Sequence, residues 1–472
     1  VSKTYDLIVI GAGSAGLSVS LSMNEFGFKV LLIDKKAELI GGDCLNFGCI
    51  PSKALIHIAR EVHSAKKAEK FGLKVGGEVD IHSVLQYIKG KQDIIRSHEN
   101  KEYLIEQGLA IEIGEAHFIS KHEVEVNGKR FAGKKVIIAT GSKPAMPNVF
   151  IDHEAPIVTN ETLFDIQNLP KQLVVIGGGP NGLELGQAFH RLGSKVTIVH
   201  RHSRILNKEE YEISEILYQR LKDEGVQFML DSEPKAIKQD RVDIKTSNGN
   251  VSLKCDLVLV AVGRELNHHD LKLENAEVKV SKGEIVTNNK LQTTNPDVYV
   301  CGDALGSLKF SHAAEMHARL LLNNFFSPFK KKLSYQHFSW VTFTDPEIAT
   351  FGRSSAQLQE AGESFERLEY DFKDDDRAVV GDYRYGKLVL NVTKTNLLNR
   401  SPKILGGTII APGAGELIQE LVTHMVIGAK LSVLFDKIYA YPVASRVNQA
   451  VALQKQSEQL TTFVKRLLQM LY

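Results

Sequence analysis

The chain has 472 residues, 43% of them hydrophobic and 24% charged, with 58 Lys and Arg against 56 Asp and Glu. That length carries about three domains and a large buried core. The near balance of charge, with no basic patch interleaved with aromatics, argues against nucleic acid as a partner, and four cysteines in so long a chain argue against a secreted disulfide framework and for a reducing cytoplasm.

Val1 to Asp6 lead straight into an apolar strand pattern, so no secretory leader is expected. No apolar run is long enough to span a bilayer. Tyr5 to Ile10 reads as a buried parallel strand, followed at once by Gly11-Ala12-Gly13-Ser14-Ala15-Gly16 and an apolar helical stretch. This is a dinucleotide-binding turn. Gly11 makes the tight turn, Gly13 lets the backbone approach a pyrophosphate, and Gly16 lets the helix pack on the strand. The next strand, Lys29 to Ile33, ends in Asp34, where a carboxylate can accept hydrogen bonds from ribose hydroxyls.

Cys44 and Cys49 follow, at the expected start of a helix. Two cysteines so spaced can close a small redox disulfide or form half of a metal clip. A zinc site would need two more ligands, and the other cysteines, Cys255 and Cys301, stand far off in apolar strand-like runs.

The strand-turn pattern recurs at Leu173 to Ile176 with Gly177-Gly178-Gly179-Pro180-Asn181-Gly182, so Gly177, Gly179 and Gly182 repeat the first cradle. Two cradles imply two nucleotides, one FAD and one nicotinamide nucleotide. The strand after the second cradle runs into His200-Arg201-His202-Ser203-Arg204, with no carboxylate at its end. Arg201 and Arg204 can pair with a 2′-phosphate there, which favours NADP(H) over NAD(H).

The string Gly41-Gly42-Asp43-Cys44-Leu45-Asn46-Phe47-Gly48-Cys49-Ile50-Pro51-Ser52-Lys53 resembles the redox-active signature of the class I pyridine nucleotide–disulfide oxidoreductases, in the branch of dihydrolipoamide dehydrogenase and mercuric reductase. Ile138 to Pro144, Ala261 to Arg264 and Asp297 to Asp303 resemble further motifs of that family. Phe343 to Ala349, Asp376 to Ala378 and Leu405 to Ile418 resemble its interface domain.

The resemblance implies an α/β fold with two Rossmann-like dinucleotide-binding domains and a C-terminal α+β dimerisation domain. FAD would occupy 1–150 and 265–335, the nicotinamide nucleotide 151–264, and the dimer contact 336–472. It also implies a Cys44–Cys49 disulfide, with Cys49 on the flavin side and Cys44 as the interchange thiol. Lys53 and Glu184 would pair near the flavin, and no resident metal is implied. FAD and nucleotide contacts extend by resemblance to Lys35, Gly42, Asp43, Lys53, Ala116, Thr140, Gly141, Gly263, Gly302 and Asp303. Cys301 reads as core.

One stretch departs from the family. Disulfide-reducing members contribute from the partner subunit a His before a Pro and a Glu five residues on, and this chain has Tyr441 and Arg446 there. A phenol of pKa about 10 is a poor base at neutral pH, whereas imidazole near 6.5 is a good one. The expected acceptor is therefore small and needs no such proton relay: a metal ion, a quinone or an activated disulfide. Alternatives are a dihydrolipoamide dehydrogenase of a 2-oxoacid complex, a mercuric reductase-like metal reductase and a flavin-bearing redox sensor. At the C-terminus Leu460, Phe463, Val464, Leu467, Leu468 and Leu471 form one apolar helical face, with Lys465 and Arg466 opposite. Such a face fits packing within a homodimer better than membrane contact.

Overall fold

The computed structural model describes residues 3–151, 156–395, 401–458 and 462–472. Leu7 to Ile10 and Leu31 to Ile33 are apolar at every position, and strands of that kind need cover on both faces. The strand Lys3–Ile10 accordingly lies between parallel neighbours, Val30–Asp34 on one side and Lys129–Ile138 on the other. Ala110–Ile113 extends the sheet beyond Val30–Asp34. The start of Lys129–Ile138 pairs antiparallel with Glu123–Val126, which in turn pairs with Ala116–Phe118. Its end pairs parallel with Val298–Val300.

A complete second sheet stands in sequence before Val298–Val300 joins the first. Its five parallel strands run in the order Gln227–Met229, Lys195–Val199, Gln172–Ile176, Leu257–Val260 and Ile157–Val158. An antiparallel meander, Glu233–Lys238, Arg241–Thr246 and Gly249–Lys254, accompanies it. The helix Pro180–Leu192 is buried at ten of its thirteen positions, because it packs between this sheet and the helix Cys49–Lys67.

The third sheet is wholly antiparallel: Ser339–Thr342, Glu347–Gly352, Ile404–Ala411, Lys387–Thr393 and Phe365–Asp371. Ala414–Ile427 and Arg446–Ser457 cover it through a core of their own that includes Ile418, Leu421, Val447 and Val451. A mixed sheet with a parallel core and a parallel sheet, each packed with helices, then an antiparallel sheet with helices, is the architecture the sequence implied. No described helix is long and apolar enough to cross a membrane. The backbone of Thr462–Leu471 is helical. Leu460 and the side chains of Phe463, Val464 and Leu467 lie outside the described residues, while Leu468 and Leu471 are exposed.

Candidate active site

Both glycine turns close by the same contacts. Gly11 and Gly177 have φ of +110° and +124°, and a Cβ on either would lie 2.3 Å from a carbonyl oxygen, of Ala139 and Ala261 respectively. A Cβ on Gly16 or Gly182 would lie 1.8 Å or 2.0 Å from the oxygen of Gly11 or Gly177. The cradles differ at the middle glycine. A Gly13 Cβ would sit 3.6 Å from the Gly42 Cα, whereas Gly179 faces open space. The loop that carries the cysteines therefore roofs the first cradle only.

The acceptor at each strand end differs too. Ala12 N–H donates to Asp34 Oδ2 at 2.7 Å, and burial raises that carboxyl's pKa. In the second cradle Gly178 N–H donates to His200 Nδ1 at 3.1 Å, so an imidazole stands where the first cradle has a carboxylate. Burial, His202 and Arg201 hold His200 below its ordinary pKa, which keeps it neutral with its proton on Nε2. Arg201 is exposed, its Nε 3.2 Å from His202 Nε2. Arg204 does not stand free beside it as the sequence suggested. Its guanidinium donates to the Glu209 and Asn207 carbonyls at 3.1 Å and 2.6 Å and to Ser214 Oγ at 2.9 Å, because that turn leaves its own carbonyls in need of a donor.

Around the first cradle, Ser142 Oγ donates to Asp303 Oδ2 at 2.6 Å, and Arg264 reaches Ser142 Oγ at 2.7 Å and Asp43 Oδ1 at 3.0 Å. Arg264 was visible in the sequence only as the end of a motif, and Ser142 had no signal beyond its own. Thr140 Oγ1 is buried without a hydrogen-bond partner among the described residues. Gly141, Gly263 and Gly302 have φ of +70°, +137° and +72°. Gly302 N–H donates to the buried His317 Nδ1 at 3.2 Å. Lys35 pairs with Glu115 at 3.0 Å on the surface, and Ala116 is buried at the start of its strand. A cradle that only glycine can form, carboxylates at Asp34 and Asp303 and the unpartnered Thr140 hydroxyl fit FAD.

Cys44 lies in the one-turn helix Gly42–Asn46 and Cys49 is the first residue of Cys49–Lys67, so only Cys49 has the long helix N-terminus. Neither cysteine is bonded to another in this structure. A hydrogen bond from Cys44 lowers the Cys49 pKa to about 6 against the opposing effect of burial, with Ser311 and Lys53 adding to it. The same bond, burial and the Cys49 charge raise Cys44. The shared hydrogen bond thus favours the proton on Cys44 and the negative charge on Cys49. Ser311 Oγ, 3.3 Å from Cys49 Sγ, was missed by sequence reasoning. Cys301 is fully buried and pushed up to about 12 by that burial, which fits a core residue.

Lys53 Nζ meets Glu184 Oε2 at 2.9 Å and lies 4.7 Å from the centre of the Phe343 ring. Glu184 Oε1 accepts from Phe343 N–H at 2.8 Å. One turn on, Gln187 exchanges two hydrogen bonds with the Asp345 backbone, at 2.7 Å and 2.8 Å. Arg191 completes the row, pairing with Asp345 at 2.8 Å and with Glu224 at 2.7 Å. Tyr441 stands apart from this group within the protomer. It is 67% exposed, its hydroxyl donates to Asp376 Oδ2 at 3.1 Å, and Arg446 lies 5.1 Å from its ring centre.

The family described as pyridine nucleotide-disulphide oxidoreductase matches residues 5–318, and the dimerisation domain of the same family matches 338–451. The chain belongs to the pyridine nucleotide–disulfide oxidoreductases. Members are flavin-dependent enzymes that use a pyridine nucleotide, and this oxidoreductase carries their FAD and dimerisation units. It is 34% identical over 467 residues to a dihydrolipoyl dehydrogenase of Thermus scotoductus, covering 96% of this chain and 98% of that one. It is 31% identical over 446 residues to a mercuric reductase of Staphylococcus aureus, covering 93% and 80%. Among solved structures, the Cu(II) complex of the HOCl-induced flavoprotein disulfide reductase RclA from Escherichia coli aligns with a TM-score of 0.85 at 25% identity, covering 96% and 100%.

Proposed function

We propose that this oxidoreductase carries electrons from NADPH through FAD to the Cys44–Cys49 pair and on to a thiophilic acceptor that has no thiol of its own to deprotonate, such as a soft metal ion or an activated disulfide. The observation that carries the reading is Tyr441. Its hydrogen bond to Asp376 raises the phenol pKa, which makes a poor base poorer. A relative named mercuric reductase and a neighbour solved with Cu(II) support it.

Bound FAD would supply a two-electron relay between hydride and sulfur. The chain's own residues then divide the work. The glycine turns and Asp34 hold the flavin nucleotide, Lys53 stabilises negative charge beside it, and Glu184 and Phe343 keep Lys53 in place. Cys49, as the thiolate, faces the flavin, and Cys44 meets the acceptor. The neutral His200 and the exposed Arg201 favour a 2′-phosphate, because no carboxylate repels it. In a homodimer the Tyr441 loop of the partner would complete the acceptor site.

The second reading is a dihydrolipoyl dehydrogenase, favoured by the Thermus scotoductus relative matched over almost its whole length. Oxidation of NADPH and NADH with mercuric and cupric ions, quinones, oxidised glutathione and lipoamide separates the two. Dihydrolipoamide oxidation should be slow at pH 7 and climb toward alkaline pH, because without a base worth about 10²–10⁴-fold the substrate must supply its own thiolate. Fast turnover at pH 7 with a bell-shaped profile would establish the second reading instead.

A further inference from the structure

Gly302 opens the one-turn helix Gly302–Leu305, with φ +72° in the left-handed region. A Cβ there would lie 3.0 Å from the Cβ of Ala15, on the helix that follows the first glycine turn, so this turn lies against the first cradle. A backbone N–H buried at such a place needs an acceptor. Here the acceptor is an imidazole: Gly302 N–H donates to His317 Nδ1 at 3.2 Å.

His317, on the helix Ser311–Phe326, is fully buried. Accepting at Nδ1 requires the neutral ring with its proton on Nε2. Burial holds the ring in that form, lowering its pKa to about 4. Nε2–H then donates to the Tyr335 hydroxyl at 2.8 Å, and Tyr335 passes its own proton to Ser307 Oγ at 2.6 Å. Ser307 stands two residues beyond the same one-turn helix, so one relay holds the turn at both ends. From Asp303, inside the turn, contacts run through Ser142 and Arg264 to Asp43, next to Cys44.

We propose that His317 is a positioning residue for FAD: by accepting the Gly302 N–H it fixes the turn that presents Asp303 to the flavin nucleotide, a role that rests on the assignment of the first cradle to FAD. Tyr335 serves the same end by keeping the imidazole proton on Nε2. The ring does not touch the reacting atoms. It decides whether the turn has the shape in which FAD is held.

Two amides separate this role from plain core packing. In His317→Asn the amide oxygen takes the place of Nδ1 and can accept from Gly302. In His317→Gln the amide takes the place of Nε2, meets Tyr335 and leaves Gly302 N–H without an acceptor. The dissociation constant of FAD is measured by ultrafiltration of diluted holoenzyme, with the melting temperature recorded in parallel. His317→Asn should stay within a few-fold of wild type, whereas His317→Gln should bind FAD about 10- to 100-fold more weakly. Tyr335→Phe should weaken FAD in the wild-type background and add nothing in His317→Asn, which has no imidazole proton to direct. Equal dissociation constants for the two amide variants, or tighter binding by His317→Gln, overturn the proposal, as does a fall in melting temperature with FAD binding unchanged in both. A wild type that takes up no FAD would instead overturn the assignment of the first cradle.

Discussion

Ser311 shows how much one hydroxyl can decide. Hydrogen bonds to a charged group contribute about 1.5–3 kcal/mol, and one pH unit is about 1.4 kcal/mol. Ser311→Ala should therefore raise the Cys49 pKa by about one unit from about 6. At pH 7 the thiolate then falls from the dominant form to roughly half. The pH midpoint of the long-wavelength absorption of thiolate beside oxidised flavin measures it, and an unmoved midpoint would show that Ser311 adds nothing to the effect of Cys44 and Lys53. The two arginines of the second cradle make a paired test. Arg201→Ala should lower the NADPH over NADH ratio of kcat/KM by an amount equivalent to about 1.5–3 kcal/mol. Arg204→Ala should leave that ratio and lower the melting temperature, since its bonds are to Asn207, Glu209 and Ser214. The cysteine pair and the glycines were legible because their chemistry fixes their spacing along the chain. Ser311 was not, being 262 positions from the sulfur it touches.

The helix Pro180–Leu192 begins at a nucleotide turn and presents Glu184, Gln187 and Arg191 to residues 343–345. Sequence reasoning found Glu184 because a family motif precedes it, and missed the other two because their partners belong to a distant loop. Arg191, 3% exposed, pairs with a buried and a partly buried carboxylate, which without it would lose their only cationic hydrogen-bond donor among the described residues. Arg191→Met should cost about 3–5 kcal/mol in urea unfolding followed by fluorescence. The pH dependence has a definite sign. Despite burial, Arg191 keeps Asp345 below the usual carboxylate range, so its contribution is complete above about pH 4 and fades as pH falls through the depressed value. The variant should lose that acid-side slope. The duplicated turn offers a matching control, because a Cβ at either third glycine meets a carbonyl within 2.0 Å. Gly182→Ala should abolish nucleotide-driven flavin reduction while FAD stays bound, and Gly16→Ala should yield protein without flavin.

Across the whole molecule, the order of sheets was readable because buried parallel strands are apolar throughout and each nucleotide turn follows one directly. The ends of the chain's logic were less readable. Tyr441 stood out only as a departure from a family pattern. The seat of the short helix that carries Cys44 comes from how Ile81–Arg96 packs on Gly42–Asn46, with Gln92 donating to the Leu45 carbonyl, which no local pattern encodes.

The row of Glu184, Gln187 and Arg191 also bears on protein engineering. Exchanging the nucleotide-binding unit with a relative's, to change which coenzyme is accepted, would cut between Arg191 and Glu224 on one side and Asp345 on the other. A graft bringing an uncharged residue at 191 would strand Asp345 in the recipient, and one bringing arginine into a recipient lacking this acid would strand the guanidinium. Positions 187, 191, 224 and 345 therefore form one transferable unit, although they belong to separate segments of the chain.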